Sequence, residues 1–582
     1  MTHEPSEGDE PWFEEVFLGL SMAIGTDWGN LKAQLFECFE CARYRVQEIH
    51  ISDLLDDIPG VTLNAPIQSP VAYFRERMNA GDSARHRAYP EYGILAYLAI
   101  REIAKFRREL QRESRNREEF RGIVYLLDSL MHPEEVAVLR ATYGTHFFLL
   151  GIYEDPEQRR SSLVDRLRPS MQGHPEPIHQ VVDELIERSQ GQDAPTFALS
   201  VENTFHLADV FIDTANPTSR VPVQFGDANG PPHEVALRAG LSESTLRRFI
   251  FLLFSARNLT PTKYEIAMSH AYAASSRSAS LARRIGAVIV SAEEDLIASG
   301  YNEVPAPGGN LYPVQDGANG PILDHRDPYF RPRVPGVDPK SGDHGYDSND
   351  LVRVDLLKNL LSVVKEVGLV DRTLDFATFF ELLRTTDPDH RLRLLDVIEY
   401  GRAVHAEMAA ILSATRRGQS VKGATLYCTT FPCHECARHI VAAGIDRVVY
   451  IEPYPKSRVA QLHPDSIALG QRGPDLDTTS RRPTEFVPFI GIAPARQHDL
   501  FSYLQRKRDF LESAEDPGRA FERSTLTSAF LYDAELRWSH RHRSIRETGP
   551  VQRKAAETYA LSKVEGLLTL LERSESGDIG TV

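Results

Sequence analysis

The feature that most constrains this chain is a His and two Cys set at a fixed spacing. The run Ala403-Val404-His405-Ala406-Glu407 is followed, 28 residues after its histidine, by Cys433 in Pro432-Cys433-His434-Glu435-Cys436. Cys433 and Cys436 are three apart, so on a helix they share one face. Pro432 suits the first turn of such a helix, and a helix N-terminus favours thiolate through its dipole and free N–H groups. His405 likewise opens an apolar helix, Ala406–Ser413. The runs Gly423–Thr430 and Arg447–Ile451 are β-rich and bracket the Cys helix. A fold that satisfies this stretch must bring two helix N-termini to one point beside a sheet.

An imidazole and two thiolates make a three-ligand zinc set that leaves a fourth position for water. Glu407 lies two residues beyond His405 and points elsewhere on the helix. It is poorly placed as a further ligand and well placed to shuttle protons beside the metal. The pattern H-x-E followed by P-C-x-x-C is the signature of zinc nucleobase deaminases. It implies one catalytic Zn2+ on His405, Cys433 and Cys436, with Glu407 as the catalytic acid and base. The competing reading is a closed knuckle with His434 as fourth ligand; adjacent Cys433 and His434 chelate one ion with difficulty. Cys38 and Cys41 form a second C-x-x-C, inside the amphipathic stretch Leu31–Arg43, and read as core or surface thiols.

The chain has 582 residues, a formal charge of −16 and five cysteines. The length calls for two to four domains. An odd, small cysteine count makes no disulfide framework. The acidic balance argues against tight non-specific nucleic-acid binding. No apolar run reaches the roughly 18 residues of a membrane span, and Met1–Pro11 lacks the features of a secretory signal. The expectation is a cytoplasmic protein with no membrane partner.

Residues 14–215 alternate strand and helix patterns, with strands at Val16–Leu20, Tyr44–Ile51, Gly122–Leu130, Phe147–Tyr153 and Asp209–Asp213. That order suggests a parallel, doubly wound α/β sheet. Residues 216–259 read as a linker and helix. Residues 260–511 form a second α/β region with a long insertion at 305–398, and residues 512–582 a charged helical tail. After the first strand comes a Gly-containing turn. A Walker A loop needs Gly-x-x-x-x-Gly-Lys-[Ser/Thr], but Gly25 is followed by Thr26 and Asp27. Backbone N–H groups of such a turn still cradle phosphate, so Gly19, Gly25, Thr26 and Asp27 are candidate nucleotide-binding residues. A strand–turn–helix that binds no phosphate has the same appearance.

Residues 281–303 and Val404–Tyr450, above all Gly423-Ala424-Thr425-Leu426-Tyr427-Cys428-Thr429-Thr430-Phe431-Pro432-Cys433, resemble the deoxycytidylate deaminases. The resemblance implies a cytidine-deaminase-like α/β/α sandwich with a mixed five-stranded sheet. It implies substrate contacts at Asn302, Ala406, Tyr454 and Lys456, and a phosphate contact at Arg283 or Arg284. The layout as a whole resembles the bacterial anti-phage dCTP deaminases, in which a P-loop-kinase-like domain precedes a deoxycytidylate deaminase domain. By that resemblance the chain deaminates dCTP, dCMP or both, depletes dCTP during infection and forms a homo-oligomer. The first domain then serves as a sensor or switch, with a regulatory nucleotide, a regulatory RNA or a phage-derived trigger. The other readings are a housekeeping dCMP deaminase, a deaminase acting on RNA, and a non-catalytic nucleotide-binding sensor with a structural zinc.

Overall fold

The computed structural model describes residues 14–61, 63, 70–113, 120, 122–171, 176–190, 196–214, 244–253, 259–280, 283–312, 348–386, 400–454, 457–470, 482–501 and 549–575. They fall into two compact units, Met1–Thr262 with Ile490–Val582, and Lys263–Phe489.

The first unit is built on strands β1 (Glu14–Met22), β2 (Tyr44–His50), β3 (Gly122–Asp128), β4 (Phe147–Tyr153) and β5 (Val210–Asp213). The apolar runs Val16–Leu20 and Ile123–Leu127 are buried almost throughout, as expected of a parallel sheet covered on both faces. The order is β2-β3-β1-β4-β5, all parallel, as the alternation of strand and helix patterns suggests. One face packs on the helices Gly29–Cys41 and Thr245–Leu253 through Leu31, Leu35, Phe39, Phe249 and Ile250. On the other face Phe17 stacks between Tyr125 and Tyr143, the last on the helix Pro133–Tyr143. The sheet departs from a purely parallel one at its edge. There β12 (Gly491–Ile492) pairs antiparallel with β5. The segment from Ile490 onward thus belongs with the first sheet, although the sequence reading carried the second domain to residue 511.

The long helix Gly549–Glu575 also belongs to the first unit. It is held by a buried ionic network: Arg107 Nε donates to Glu15 at 2.7 Å, and Arg107 Nη1 and Nη2 donate to Glu557 at 3.0 Å each. Arg553 donates to Glu15 as well.

The second unit contains β6 (Gly286–Val290), β7 (Leu296–Tyr301), β8 (Thr425–Thr430), β9 (Arg447–Glu452), β10 (Ile467–Leu469) and β11 (Thr484–Pro488). Their order is β10-β11-β9-β8-β6-β7. β6 is antiparallel to β7 and β8; the pairs β8–β9, β9–β11 and β10–β11 are parallel. The sheet is mixed, as the resemblance implied, with six strands rather than five. Side chains alternate faces along β6. A Cβ on Gly286 would meet the helix Lys263–Ser275, whereas Ala287 and Ile289 pack with Ala406, Ala410, Ala437 and Ile440. Helices therefore lie on both faces. Within the insertion, the described residues form helices Ser348–Glu366 and Phe376–Thr386; residues 313–347 and 387–399 lie outside the described residues.

Candidate metal centre and active site

Two helices start at the metal-binding residues. His405 is the N-cap of the helix Ala406–Arg416, and Cys433 is the N-cap of His434–Ala443. Both caps have extended backbone, so each side chain stands at the positive end of its helix. Pro432 precedes the cap rather than occupying the first turn. The Cys436 N–H donates to Cys433 Sγ at 3.4 Å, fixing the two sulfurs on one side of the turn.

His405 Nδ1 lies 3.2 Å from Cys433 Sγ and 3.3 Å from Cys436 Sγ. All three ligand atoms fall within 4.8 Å of one another. Zn–S and Zn–N bonds in a tetrahedral site place sulfur and nitrogen about 3.6 Å apart. The three side chains therefore fit one Zn2+ if the imidazole moves only a few tenths of an ångström away from the two sulfurs. His434 is not part of this cluster, so the three-ligand set forms and the closed knuckle does not.

The electrostatics describe a proton-sharing cluster that a cation would reorganise. Donation from Cys436 and the His405 contact pull the Cys433 thiol far below its ordinary range. The same contact between the two thiols, together with burial, pushes Cys436 up. His405 is raised to about 9, chiefly by its hydrogen bond to Cys433. Zinc binding displaces these protons, because ligands bind as thiolate and neutral imidazole.

Glu407 is 3 % exposed, and its Oε2 has no hydrogen-bond partner among the described residues. Burial raises its carboxyl above the ordinary value. A buried carboxylate oxygen without a partner is costly, so its presence beside a metal-ligand cluster points to a ligand or water at that position. The helix carrying it is seated tightly on β7. A Cβ on Gly300 would lie 2.3 Å from Ala406 O and 2.4 Å from Ala410 N, so only glycine permits this approach.

The other expected contacts are distributed differently. Asn302 is committed to the backbone: its Oδ1 accepts from Ile285 N at 2.8 Å and its Nδ2 donates to Arg283 O at 2.9 Å. It braces the segment before β6. Ala406 is fully buried against β7. Tyr454 is half-buried, with the Arg283 guanidinium 5.6 Å from its ring centre. Arg284 is exposed, whereas Arg283 pairs with Glu452 at 3.2 Å. Lys456 lies outside the described residues. The sequence reading missed Glu452, which also accepts from Thr430 Oγ1 at 2.9 Å. The register that pairs Thr430 with Glu452 comes from the parallel β8–β9 ladder.

In the first unit, Gly25, Thr26 and Asp27 line a cavity beyond the end of β1. Gly19 does not: it lies inside β1, where a Cβ would strike Leu130 and Phe147. Cys38 packs against the core of that unit.

Comparison with known proteins agrees with the centre. Residues 261–452 match the family model of the cytidine and deoxycytidylate deaminase zinc-binding region. A deoxycytidylate deaminase of Enterobacteria phage T2 is 49% identical over 55 residues, 10% of this chain and 29% of that protein. ComE operon protein 2 of Bacillus subtilis (strain 168) is 43% identical over 60 residues, 10% of this chain and 32% of that protein. The deoxycytidylate deaminase of Homo sapiens is 40% identical over 53 residues, 9% and 29% of the two chains. The match thus spans less than a third of each of these relatives. A solved dCMP deaminase of cyanophage S-TIM5, in apo form, aligns over 35% of this chain and 93% of that one at 17% identity, with a TM-score of 0.18. The family match and the His405–Cys433–Cys436 cluster together support one Zn2+ within residues 261–452, the part of the chain that is similar to the cytidine and deoxycytidylate deaminases.

Proposed function

We propose that the chain hydrolyses the exocyclic C–N bond of a deoxycytidine nucleotide, giving a deoxyuridine nucleotide and ammonia. The observation that carries this reading is Glu407: a buried carboxylate with an unpartnered oxygen, two residues from a metal ligand. A purely structural zinc has no use for that group.

His405, Cys433 and Cys436 would hold the zinc, which acidifies a water toward neutrality when bound. Glu407 takes a proton from that water and delivers it to the ring nitrogen of the base. The water oxygen adds to the amine-bearing carbon. Glu407 then carries the remaining proton of that oxygen to the amine, which leaves as ammonia while the oxygen stays on the ring as a carbonyl. Ala406 and Tyr454 are carried as substrate contacts by the resemblance to deoxycytidylate deaminases alone. Arg283, braced by Asn302 and Glu452, is better supported for the substrate phosphate than the exposed Arg284.

Two of the named relatives, those of phage T2 and Homo sapiens, are deoxycytidylate deaminases, which favours dCMP as a substrate. The extra first unit favours the wider reading: dCTP as a second substrate, dCTP depletion in anti-phage defence, assembly into a homo-oligomer, and control by a nucleotide, an RNA or a phage-derived trigger. A housekeeping enzyme needs no such unit. The test is to offer purified, zinc-loaded protein dCMP, dCDP, dCTP, CTP and deoxycytidine separately and identify the products. Conversion of dCTP supports the defence reading; conversion of dCMP alone supports the housekeeping one. No turnover of any of them contradicts deamination by the isolated chain.

A further inference from the structure

In the first unit the chain leaves β1 toward β2 on one side and leaves β3 toward β4 on the other. The loops after β1 and β3 therefore diverge, and open α/β sheets bind ligands at such a point, beyond the carboxyl ends of the strands. A cavity of about 560 Å³ lies there. That volume falls within the roughly 300–1,000 Å³ of small-ligand sites.

The acidic groups around this cavity are already engaged. Asp128 is hydrogen-bonded to His50 Nδ1 at 3.1 Å, Asp53 accepts from Arg77 Nη2 at 3.1 Å, and Asp27 accepts from Gly29 N at 3.1 Å. Guanidinium donors are left over. Arg85 is 3 % exposed; its Nε and Nη2 both donate to Glu135 Oε1, at 3.0 and 2.7 Å. Its Nη1 lies 3.5 Å from Asp82 Oδ1 but makes no hydrogen bond. Asp82 is itself taken up by Leu199 N and Arg188. Arg77 Nε is buried without a partner, its guanidinium 3.9 Å from the Tyr73 ring centre. Arg166 lies 5.3 Å from the Phe74 ring centre and has no carboxylate partner among the described residues.

Surplus buried donors call for an acceptor-rich ligand. Guanidinium forks match phosphate oxygens. We propose that this cavity binds a phosphorylated small molecule of about mononucleotide size, with its phosphate held by Arg77, Arg85 and Arg166. The proposal rests on the part of the reading above that gives the first unit a nucleotide. It moves the phosphate contacts from the Gly25 turn to three arginines on the helices Pro70–Arg87 and Pro156–Leu167. It does not rest on the deaminase chemistry.

The test is equilibrium dialysis of the zinc-loaded full chain against labelled dAMP and, separately, inorganic phosphate. dAMP has a phosphate but no cytosine. One dAMP per chain is expected, weakened at least tenfold in Arg77→Ala and in Arg166→Ala and unchanged in Glu407→Gln. Arg166 is exposed, so its variant keeps the test interpretable where Arg77→Ala melts early. Phosphate binding with the same arginine dependence also supports the site. No binding of either probe at millimolar concentration overturns it. Binding that ignores both arginine changes, or that is lost in Glu407→Gln, overturns it equally. If dAMP binds as expected while no cytosine nucleotide is turned over, the deaminase reading fails and this one stands.

Discussion

Cys433 Sγ lies 3.2 Å from His405 Nδ1, although 28 residues separate them. Each residue is the N-cap of a helix, and the helices are brought together by their packing on the sheet of the second unit. The metal centre is thus a property of two helix N-termini. Either thiolate is required for zinc. Cys433→Ser and Cys436→Ser are each expected to leave the purified protein with little zinc by elemental analysis. Near-stoichiometric zinc in both would remove the ligand assignment.

Gly300 sets how closely the Glu407 helix approaches the sheet. In Gly300→Ala the new Cβ meets backbone atoms, which cannot rotate away. Overpacking of this kind costs typically about 1–3 kcal/mol. Lower stability by urea titration is expected, together with weaker zinc retention, because His405 and Glu407 move with the helix. A variant as stable as the parent would show that the helix shifts freely.

Asn302 separates two roles by what its substitution changes. Its side chain satisfies Ile285 N and Arg283 O. Asn302→Ala leaves both groups unmet, at a cost of about 1–3 kcal/mol if they stay buried. The melting temperature should fall. An unchanged melt with a raised KM alone would instead favour a role confined to substrate contact.

The buried network under the C-terminal helix gives a further test. Arg107→Met leaves Glu15 and Glu557 facing one another with Arg553 alone to offset them. Removing one partner from a buried ionic group typically costs about 3–5 kcal/mol. Denaturant titration is expected to show a loss of that order, with earlier proteolysis of Gly549–Glu575.

His50 titrates above its ordinary value of 6.5 because Asp128 accepts its hydrogen bond. A raised folded-state pKa means that this pair contributes stability fully below about pH 6.5, and the contribution is lost as pH rises through the folded value. The ring is partly exposed, so the effect is modest. Asp128→Asn should lower the His50 pKa measured by NMR and flatten the slope of stability between pH 5.5 and 8.5. An unmoved His50 titration would contradict the pairing.

Much of the centre was legible in the sequence because its spacing carries the geometry. His405, Glu407, Cys433 and Cys436 are read from residue type, helix period and the H-x-E and P-C-x-x-C signature. β4 was expected at Phe147–Tyr153 and lies there, since a continuous apolar run bounded by polar residues has one natural reading. The backbone partners of Asn302, Ile285 N and Arg283 O, come from a tertiary approach that no local pattern records. The helix Pro70–Arg87 went unread for a related reason. Its apolar stripe is short, Val71, Phe74 and Met78, and the same face continues through Gly81 and Arg85. Arg85 is in place because Glu135, 50 residues away, receives it. β12 is two residues long, too short for any periodicity, and is defined by its pairing with β5.

The most direct measurement compares wild type and Glu407→Gln for zinc content and for ammonia release from dCMP and dCTP. The account expects equal zinc in both proteins, deoxyuridine nucleotide from the wild type, and turnover reduced by about 10²–10⁴-fold in the variant. Zinc lost together with activity would make Glu407 a structural group, and a fully active variant would contradict its role in proton transfer.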